Sequence, residues 1–127
     1  MTPHEAVQIA AEFTHQNRKL FGERIAFIRD EAQIMSTGGL HIPGGIVKQS
    51  GTIVMVGVDV DTAKHDVKIG DRILFTRYEP AAVGLSRKDG SEAVIYIVHV
   101  ADLYVGWDDP ELRKEYMDAC EALRIDT

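Results

Sequence analysis

The side chains best suited to metal chemistry are grouped in one short stretch of the sequence. It contains three aspartates and one histidine, and carboxylates with an imidazole can bind a divalent cation. Aspartate is also common in turns, so a solvated turn would have the same composition. The glycine and the distant glutamate of a calcium-binding loop are missing. We favour the solvated turn over a metal site for this group, which comprises Asp59, Asp61, His65 and Asp66.

Residues for enzymatic chemistry are sparse. The sequence has no phosphate-binding P-loop and no G-x-S-x-G nucleophile motif. Its single cysteine, Cys120, has no histidine beside it to act as a base and is interpreted as a small apolar residue in a helix. His4, His15 and His99 have no partner that the sequence reveals and are interpreted as surface or helix residues. The sequence therefore predicts a protein that is not an enzyme.

The segment 36–51 has the composition of a recognition loop. It contains two Gly-Gly pairs, the first at Gly38 and Gly39, and such pairs make a backbone entropically costly to order. Leu40 and Ile42 are apolar side chains that a solvated loop displays when a partner receives them. We therefore predict that the loop is mobile in the free protein and binds a partner. The composition leaves open a long hairpin loop whose Leu40 and Ile42 fold back onto their own core.

Apolar runs on both sides of this loop predict the strands that hold it. Residues 23–31 and 52–57 each contain a nearly continuous apolar run, as expected where both faces of a sheet are covered. Residues 66–78 contain a turn followed by a strand, and residues 83–98 contain two strands around a turn signal at 88–91. Short strands separated by turns at this spacing indicate a small barrel or sandwich.

Both ends of the chain carry helix signals. Thr2 and Glu5 form a capping-box pattern with Pro3 between them, and Asp109 followed by Pro110 gives the N-cap and first position of a second helix. Each helix has one apolar face at helical spacing, which needs a surface to pack on. These faces comprise Ala6, Ile9, Ala10 and Phe13 in the first helix and Leu112, Tyr116, Ala119 or Cys120, and Leu123 in the second.

Composition limits the partners and the compartment. The formal net charge of -6 repels phosphate backbones, so we expect no nucleic acid as a main partner. There is neither an N-terminal signal pattern nor a run of 18 apolar residues, so we expect no membrane association. A single cysteine fits a reducing compartment, and the sequence therefore predicts a cytoplasmic protein.

The order of these parts resembles that of the GroES-like co-chaperonins, the chaperonin-10 family. Its members run from a strand through a Gly-Gly-apolar mobile loop and a G-x-(apolar)-x-x-V-G strand to a V-K-x-G-D-x-(apolar)-x-F segment, an acidic hairpin and a closing strand. Five parts in register make the resemblance fairly specific. From the mobile loop onward, the corresponding stretches here are residues 38–42, 51–57, 67–75, 88–98 and 102–105.

The resemblance implies a mainly β fold, a GroES-like small β-barrel with added terminal helices. The barrel is expected over residues 20–106 with its mobile loop at 36–51, between an N-terminal helical extension at 1–19 and a C-terminal helical extension at 107–127. Residues 58–65 are about five residues shorter than the roof hairpin of the family, so we expect a reduced or open roof. Terminal additions and a short roof are similar to specialised co-chaperonins such as those encoded by viruses.

The function implied by the resemblance is that of a lid. A GroES-like lid closes the folding chamber of a GroEL-like chaperonin ring around an unfolded client protein. The lid is expected to be a homo-heptamer. Because the ATP chemistry belongs to the chaperonin, no cofactor is expected in the lid itself. The residues expected to bind the chaperonin are Gly38, Gly39, Leu40, His41 and Ile42.

Two side chains are singled out by the resemblance. His41 stands where the family usually places an apolar residue, and it is the clearest departure from the family pattern. Tyr78 follows the V-K-x-G-D segment, where co-chaperonins tend to place an aromatic residue inside the dome, although core or interface packing is the commoner role of such a tyrosine.

A second function is compatible with the same residues. The barrel could hold the two terminal helices for an unrelated protein partner, as a small adaptor or interaction module without chaperonin binding. The mass in solution separates the two functions, because a lid must form a ring and an adaptor could be a monomer or a dimer.

Overall fold

Six strands in one antiparallel sheet and a long helix at each end form the framework of the computed structural model, which describes residues 2–30, 49–75, 81–103 and 105–125. The predicted mainly β fold with terminal helices is therefore confirmed. The elements in chain order are α1 (Pro3–His15), β1 (Arg24–Arg29), β2 (Gln49–Val56), α2 (Thr62–His65), β3 (Arg72–Phe75), β4 (Ala81–Ser86), β5 (Glu92–His99), a 3-10 turn (Val100–Asp102), β6 (Val105–Trp107) and α3 (Pro110–Ile125).

The strands lie in the order β4-β5-β1-β2-β3-β6, so that β1 and β2 are central. All four apolar residues of β1 from Ile25 to Ile28 are buried, as its continuous apolar run predicts for a strand covered on both faces. Between Ala26 and Phe27 the register against β2 shifts by one residue, because Ala26 pairs with Met55 and Phe27 pairs with Ile53. Such a bulge bends the strand and increases its twist.

One face of the sheet is covered by α1, and α3 packs against α1 and adds its buried residues to the same apolar cluster. Thr2 caps α1 by accepting a hydrogen bond from the Glu5 amide at 3.2 Å, and Asp109 caps α3 by accepting one from the Leu112 amide at 3.2 Å. Both predicted caps are confirmed. The buried residues of the two helices and of this sheet face form a cluster that we call the helix-side core, which includes Ala6, Ile9, Ala10, Phe13, Ala26, Ile28, Val54, Leu112, Tyr116 and Ala119.

The opposite face of the sheet carries a second apolar cluster, which we call the barrel-side core. The ring of Phe27 stacks on that of Tyr96 at 5.8 Å, and connecting segments add Val67 and Val100. Its buried members are Ile25, Phe27, Ile53, Val67, Ile73 and Val100.

The short connection between β2 and β3 contains the one-turn helix α2. The carboxylate of Asp61 caps this helix by accepting hydrogen bonds from the amides of Ala63 and Lys64 at 3.1 and 3.2 Å. In the part of the chain that the structure describes, no group of three His, Cys, Asp or Glu side chains could hold a metal ion. Asp66 ends this helix as its C-cap, with a left-handed φ of 48°.

The hairpin of β4 and β5 turns at residues 87–91, where the sequence predicted a turn. The amide of Arg87 donates to the carbonyl oxygen of Ser91 at 2.7 Å, and Gly90 takes a positive φ of 88° that suits glycine. Across the described ranges, no helix is both long enough and apolar enough to cross a membrane.

Candidate functional site

The residues that the sequence predicts for chaperonin binding fall in a part of the chain outside the described residues. The structure instead describes the base of this segment, where β1 ends at Arg29 and β2 begins at Gln49. Residues 49–51, which the sequence assigned to the end of the loop, are the first residues of β2. The predicted residues outside the description are Gly38, Gly39, Leu40, His41 and Ile42, and Tyr78 lies outside it as well.

The two ends of the segment 31–48 leave the sheet side by side. β1 and β2 are antiparallel neighbours, and Arg29 pairs with Gly51. The amide of Asp30 donates a hydrogen bond to the carbonyl oxygen of Ser50 at 3.0 Å, which continues the ladder by one more residue. The segment therefore starts and ends on adjacent positions of the same sheet.

A cluster of polar side chains surrounds this point, and we call Asp30, Ser50, Thr52 and Arg72 the loop-base cluster. Arg72 Nη1 donates to Asp30 Oδ1 at 2.8 Å and to Thr52 Oγ1 at 2.7 Å, while Arg72 Nη2 donates to Asp30 Oδ2. Ser50 Oγ donates to Asp30 Oδ2 at 2.5 Å. The arginine and the carboxylate thus form a two-pronged, charge-assisted pair, the geometry that planar guanidinium groups favour.

The pairing of neighbouring strands brings Thr52 and Arg72 of this cluster into line with Ile28 and Trp107. Ile28 pairs with Thr52, Thr52 pairs with Arg72, and Arg72 pairs with Trp107, so the four side chains lie in one row on one face across β1, β2, β3 and β6. Because Ile28 belongs to the helix-side core, the loop-base cluster lies on the same face as α1 and α3. The guanidinium of Arg72 lies 6.0 Å from the centre of the Trp107 ring, within reach of a cation–π interaction.

The cluster is largely shielded from water. The side chain of Arg72 is 12% exposed, that of Asp30 is 23% exposed, and Thr52 is fully buried with its hydroxyl bonded to Arg72. Burial by itself would raise the pKa of Asp30, but the hydrogen bonds from Arg72 and Ser50 and the charge of Arg72 outweigh it and hold the pKa below its ordinary value. Asp30 is therefore an anion at neutral pH, paired with a fixed cation.

The turn before β3 contains the second carboxylate with a shifted pKa. Asp71 accepts a hydrogen bond from the Lys68 amide at 3.0 Å, and its own amide donates to the Lys68 carbonyl oxygen at 3.1 Å. Burial raises the pKa of Asp71, the bond from Lys68 lowers it, and the nearby carboxylate of Asp108 raises it again, so that the pKa lies above its ordinary value. The aspartate of the V-K-x-G-D stretch therefore holds the turn.

An open cavity of about 390 Å³ lies beside this turn, between the barrel-side core and β6. Its lining includes the apolar residues Ile53, Val67 and Ile73 and the polar residues Asp71 and Asp108. The carboxylate of Asp71 is engaged with the Lys68 amide, and Lys68 Nζ lies 3.8 Å from Asp108. These two carboxylates therefore contact other parts of the chain.

Sequence reasoning missed the loop-base cluster and two histidine contacts. The available signal for the cluster was weak, since Thr52 and Arg72 are polar residues that each stand directly before an apolar run. For His4 the sequence revealed no partner, but its Nδ1 lies 2.7 Å from Glu115 Oε2 and so joins α1 to α3. His99 accepts a hydrogen bond from the Ala101 amide at 3.0 Å and caps the 3-10 turn.

Comparisons with known proteins place the sequence among co-chaperonins. The family model described as the chaperonin 10 Kd subunit matches residues 17–104, which leaves α1 and α3 outside the match. The co-chaperonin GroES of Clostridium novyi is 35% identical over 83 residues, covering 61% of this chain and 85% of that protein. The co-chaperonin GroES of Borreliella burgdorferi is 30% identical over 76 residues, covering 58% of this chain and 82% of that protein.

Proposed function

The chain belongs to the chaperonin 10 Kd subunit family, and we propose that it forms a lid that closes the folding chamber of a GroEL-like chaperonin. Family membership supports a co-chaperonin role in protein folding, a chaperonin partner and an oligomeric state in general, and the family is not an enzyme family. The finer proposal is a homo-heptamer that encloses an unfolded client, with Tyr78 facing the interior.

One observation carries this proposal. The family match runs across the segment 31–48, and β1 and β2 hold the two ends of that segment side by side. We propose that Gly38, Gly39, Leu40, His41 and Ile42 form the chaperonin-binding element, with Leu40 and Ile42 entering an apolar groove. Each contact would be weak, and a ring would multiply the contacts through effective concentration.

The oligomeric part of the proposal is tested by the mass of the free protein in solution. A heptameric lid has seven times the 14.1 kDa mass of the chain. Sedimentation equilibrium measures this mass without reference to shape. A monomer or a dimer at micromolar concentration would favour the adaptor function instead.

The binding part of the proposal is tested with a matched pair of substitutions. Ile42→Ser removes a β-branched apolar side chain from the proposed binding element, whereas Val94→Ser removes one from the exposed surface of β5, where Val94 is 46% exposed. Burial of an isoleucine contributes about 1.5–3 kcal/mol for each copy. Ile42→Ser should therefore abolish association with a GroEL-like ring in the presence of ATP, and Val94→Ser should bind as the wild type does. Equal binding by the two variants would refute the proposed element.

The imidazole of His41 gives the binding element a pH dependence. If the imidazole enters an apolar groove of the chaperonin, it must be neutral, because burial of an unpaired cation is far more costly than burial of a neutral imidazole. Affinity for the chaperonin should then fall as the pH drops from about 7.5 to about 5.5, through the titration range of histidine. His41→Val should remove this dependence, and parallel pH profiles for the two proteins would show that His41 does not enter the groove as a neutral side chain.

A further inference from the structure

We infer that Arg72 is a positioning residue for chaperonin binding, because it joins Asp30, at the point where the chain leaves β1, to Trp107 of β6. This inference rests on the proposed function, since it concerns how that binding element is held. The loop-base cluster and Trp107 themselves all lie within the described residues.

Asp30 lies at the point where the chain leaves β1. Its carboxylate accepts two hydrogen bonds from Arg72 and one from Ser50, and its amide donates to the Ser50 carbonyl oxygen. Four bonds therefore fix the place and direction of the chain just before residue 31. Ser50 is fixed by the same bonds at the other end of the segment.

Arg72 is also connected to the C-terminal helix through Trp107. Trp107 is the register partner of Arg72 in the β3–β6 ladder, and its ring lies beside the guanidinium. Two residues later Asp109 caps α3, which packs on α1 in the helix-side core. α3 lies outside the residues that the family model matches, so Arg72 links an added element to the base of the proposed binding segment.

The ion pair of Arg72 and Asp30 contributes direction more than stability. A partly buried ion pair contributes little net stability relative to apolar side chains of similar size, because desolvation offsets the attraction. Its hydrogen bonds are directional, however, and they select one arrangement of the groups they join. A segment whose flanking residues are already held in place loses less entropy on binding than one with free flanks. The loop-base cluster therefore contributes to chaperonin affinity by holding Asp30 and Ser50, which flank the segment that contains the proposed binding element.

The chain offers a matched control for this inference. Arg87 donates to the Glu12 carboxylate through Nε at 3.1 Å and through Nη2 at 2.8 Å, joining α1 to the turn of the β4–β5 hairpin. The side chain of Arg87 is 26% exposed and that of Glu12 is 13% exposed, so this ion pair is partly buried, as the pair of Arg72 and Asp30 is. Glu12→Gln thus weakens a similar ion pair that does not touch the base of the segment.

The experiment measures the affinity of each full-length variant for a GroEL-like ring in the presence of ATP by isothermal titration calorimetry. Asp30→Asn should weaken binding by at least about tenfold, since it removes the charge from several hydrogen bonds. Arg72→Lys keeps the charge but lacks the fork, so it should also weaken binding. Glu12→Gln should leave affinity unchanged. The melting temperature and the mass of each variant confirm that it is folded and assembled.

Trp107 tests the connection itself. Trp107→Ala should weaken binding in the wild-type background and have no further effect when Asp30 is already asparagine, because both changes act through Arg72. Failure of the wild type to bind a GroEL-like ring would refute the proposed function. If the wild type binds, affinities of Asp30→Asn and Arg72→Lys equal to that of Glu12→Gln would overturn the positioning role and leave the proposed function standing.

Discussion

The helix-side face of the sheet has two parts of opposite chemistry, although β1 and β2 run through both. Under α1 and α3 it is an apolar core in which Phe13 and Ala26 are buried. Towards the segment 31–48 the same face carries the loop-base cluster, where Asp30 and Arg72 are joined by directional hydrogen bonds. Apolar burial contributes stability in proportion to area and has no preferred direction, whereas a forked ion pair fixes direction and contributes little net stability. The helix-side core therefore stabilises the fold, and the loop-base cluster fixes the direction of the backbone at Asp30 and Ser50.

The largest effect expected from this comparison is in the helix-side core. Phe13→Ala should lower the free energy of unfolding by about 3–5 kcal/mol, because it removes a fully buried aromatic side chain and leaves a cavity. Phe21, which is 70% exposed, provides the matched control, and Phe21→Ala should change the free energy by about 0.5 kcal/mol or less. Urea denaturation followed by circular dichroism measures both. Similar losses in the two variants would show that the helical layer is not a main source of stability.

A smaller effect is expected in the loop-base cluster. Arg72→Met should lower the free energy of unfolding by about 1–3 kcal/mol, because it leaves the Asp30 carboxylate partly buried without its cation. The double variant with Asp30→Asn should recover much of that loss, since no unpaired charge remains. Urea denaturation of the single and double variants gives the coupling energy. Additive losses would contradict a direct interaction between the two side chains.

A smaller effect still should appear in the acid range, where the contributions of Asp30 and Asp71 to stability change with pH in opposite directions. The pKa of Asp30 is lowered in the folded protein, so its stabilising contribution is present above the ordinary carboxyl pKa and is lost as the pH falls through the folded value. The pKa of Asp71 is raised, mainly by burial, so its contribution is present when it is protonated and is lost as the pH rises through the folded value.

Removal of each group should therefore change acid sensitivity in opposite directions. Asp30→Asn should lose less stability than the wild type between pH ~7 and pH ~3, and Asp71→Asn should lose more. Urea midpoints measured across this range compare the three proteins. If both substitutions change the loss of stability in acid in the same direction, the opposite pKa shifts of the two carboxyl groups are contradicted.

The smallest effect is expected at the contact between α1 and α3. The hydrogen bond and the charge of Glu115 raise the pKa of His4, so the pair stabilises the helices below the ordinary pKa of histidine and loses this contribution as the pH rises through the folded value. The His4 side chain is exposed, so solvent screening keeps the effect small. The melting temperature at pH ~6 minus that at pH ~8.5 should be slightly smaller for Glu115→Gln than for the wild type. If the two proteins give the same value, the pair of His4 and Glu115 does not contribute to the pH dependence of stability.

The features that could be predicted from the sequence are those set by near neighbours. Thr2 and Asp109 cap helices through amides three residues away, and the buried faces of α1 and α3 follow from helical spacing. The continuous apolar run of β1 indicates burial on both faces without any knowledge of its partners. In each case the physical cause lies within a few residues of the feature.

The loop-base cluster could not be predicted in the same way, because its members come from β2, from β3 and from the residue that follows β1. Asp30 is separated from Ser50 by 20 positions and from Arg72 by 42, and only the register of β1, β2 and β3 brings them into contact. His4 and Glu115 are 111 positions apart and meet through the packing of α1 on α3. The binding element itself was indicated by family resemblance, and its role at residues 38–42 stays a prediction.

The most direct test of the lid function is native mass spectrometry of the full-length protein with a GroEL-like chaperonin ring. With ATP present, the account predicts a complex that exceeds the mass of the chaperonin by seven copies of the 14.1 kDa chain for each closed ring. Without nucleotide the complex should be far less abundant, since the proposed closure of the chamber depends on ATP bound to the chaperonin. Absence of any complex with ATP, or the addition of one or two copies, would contradict the central claim.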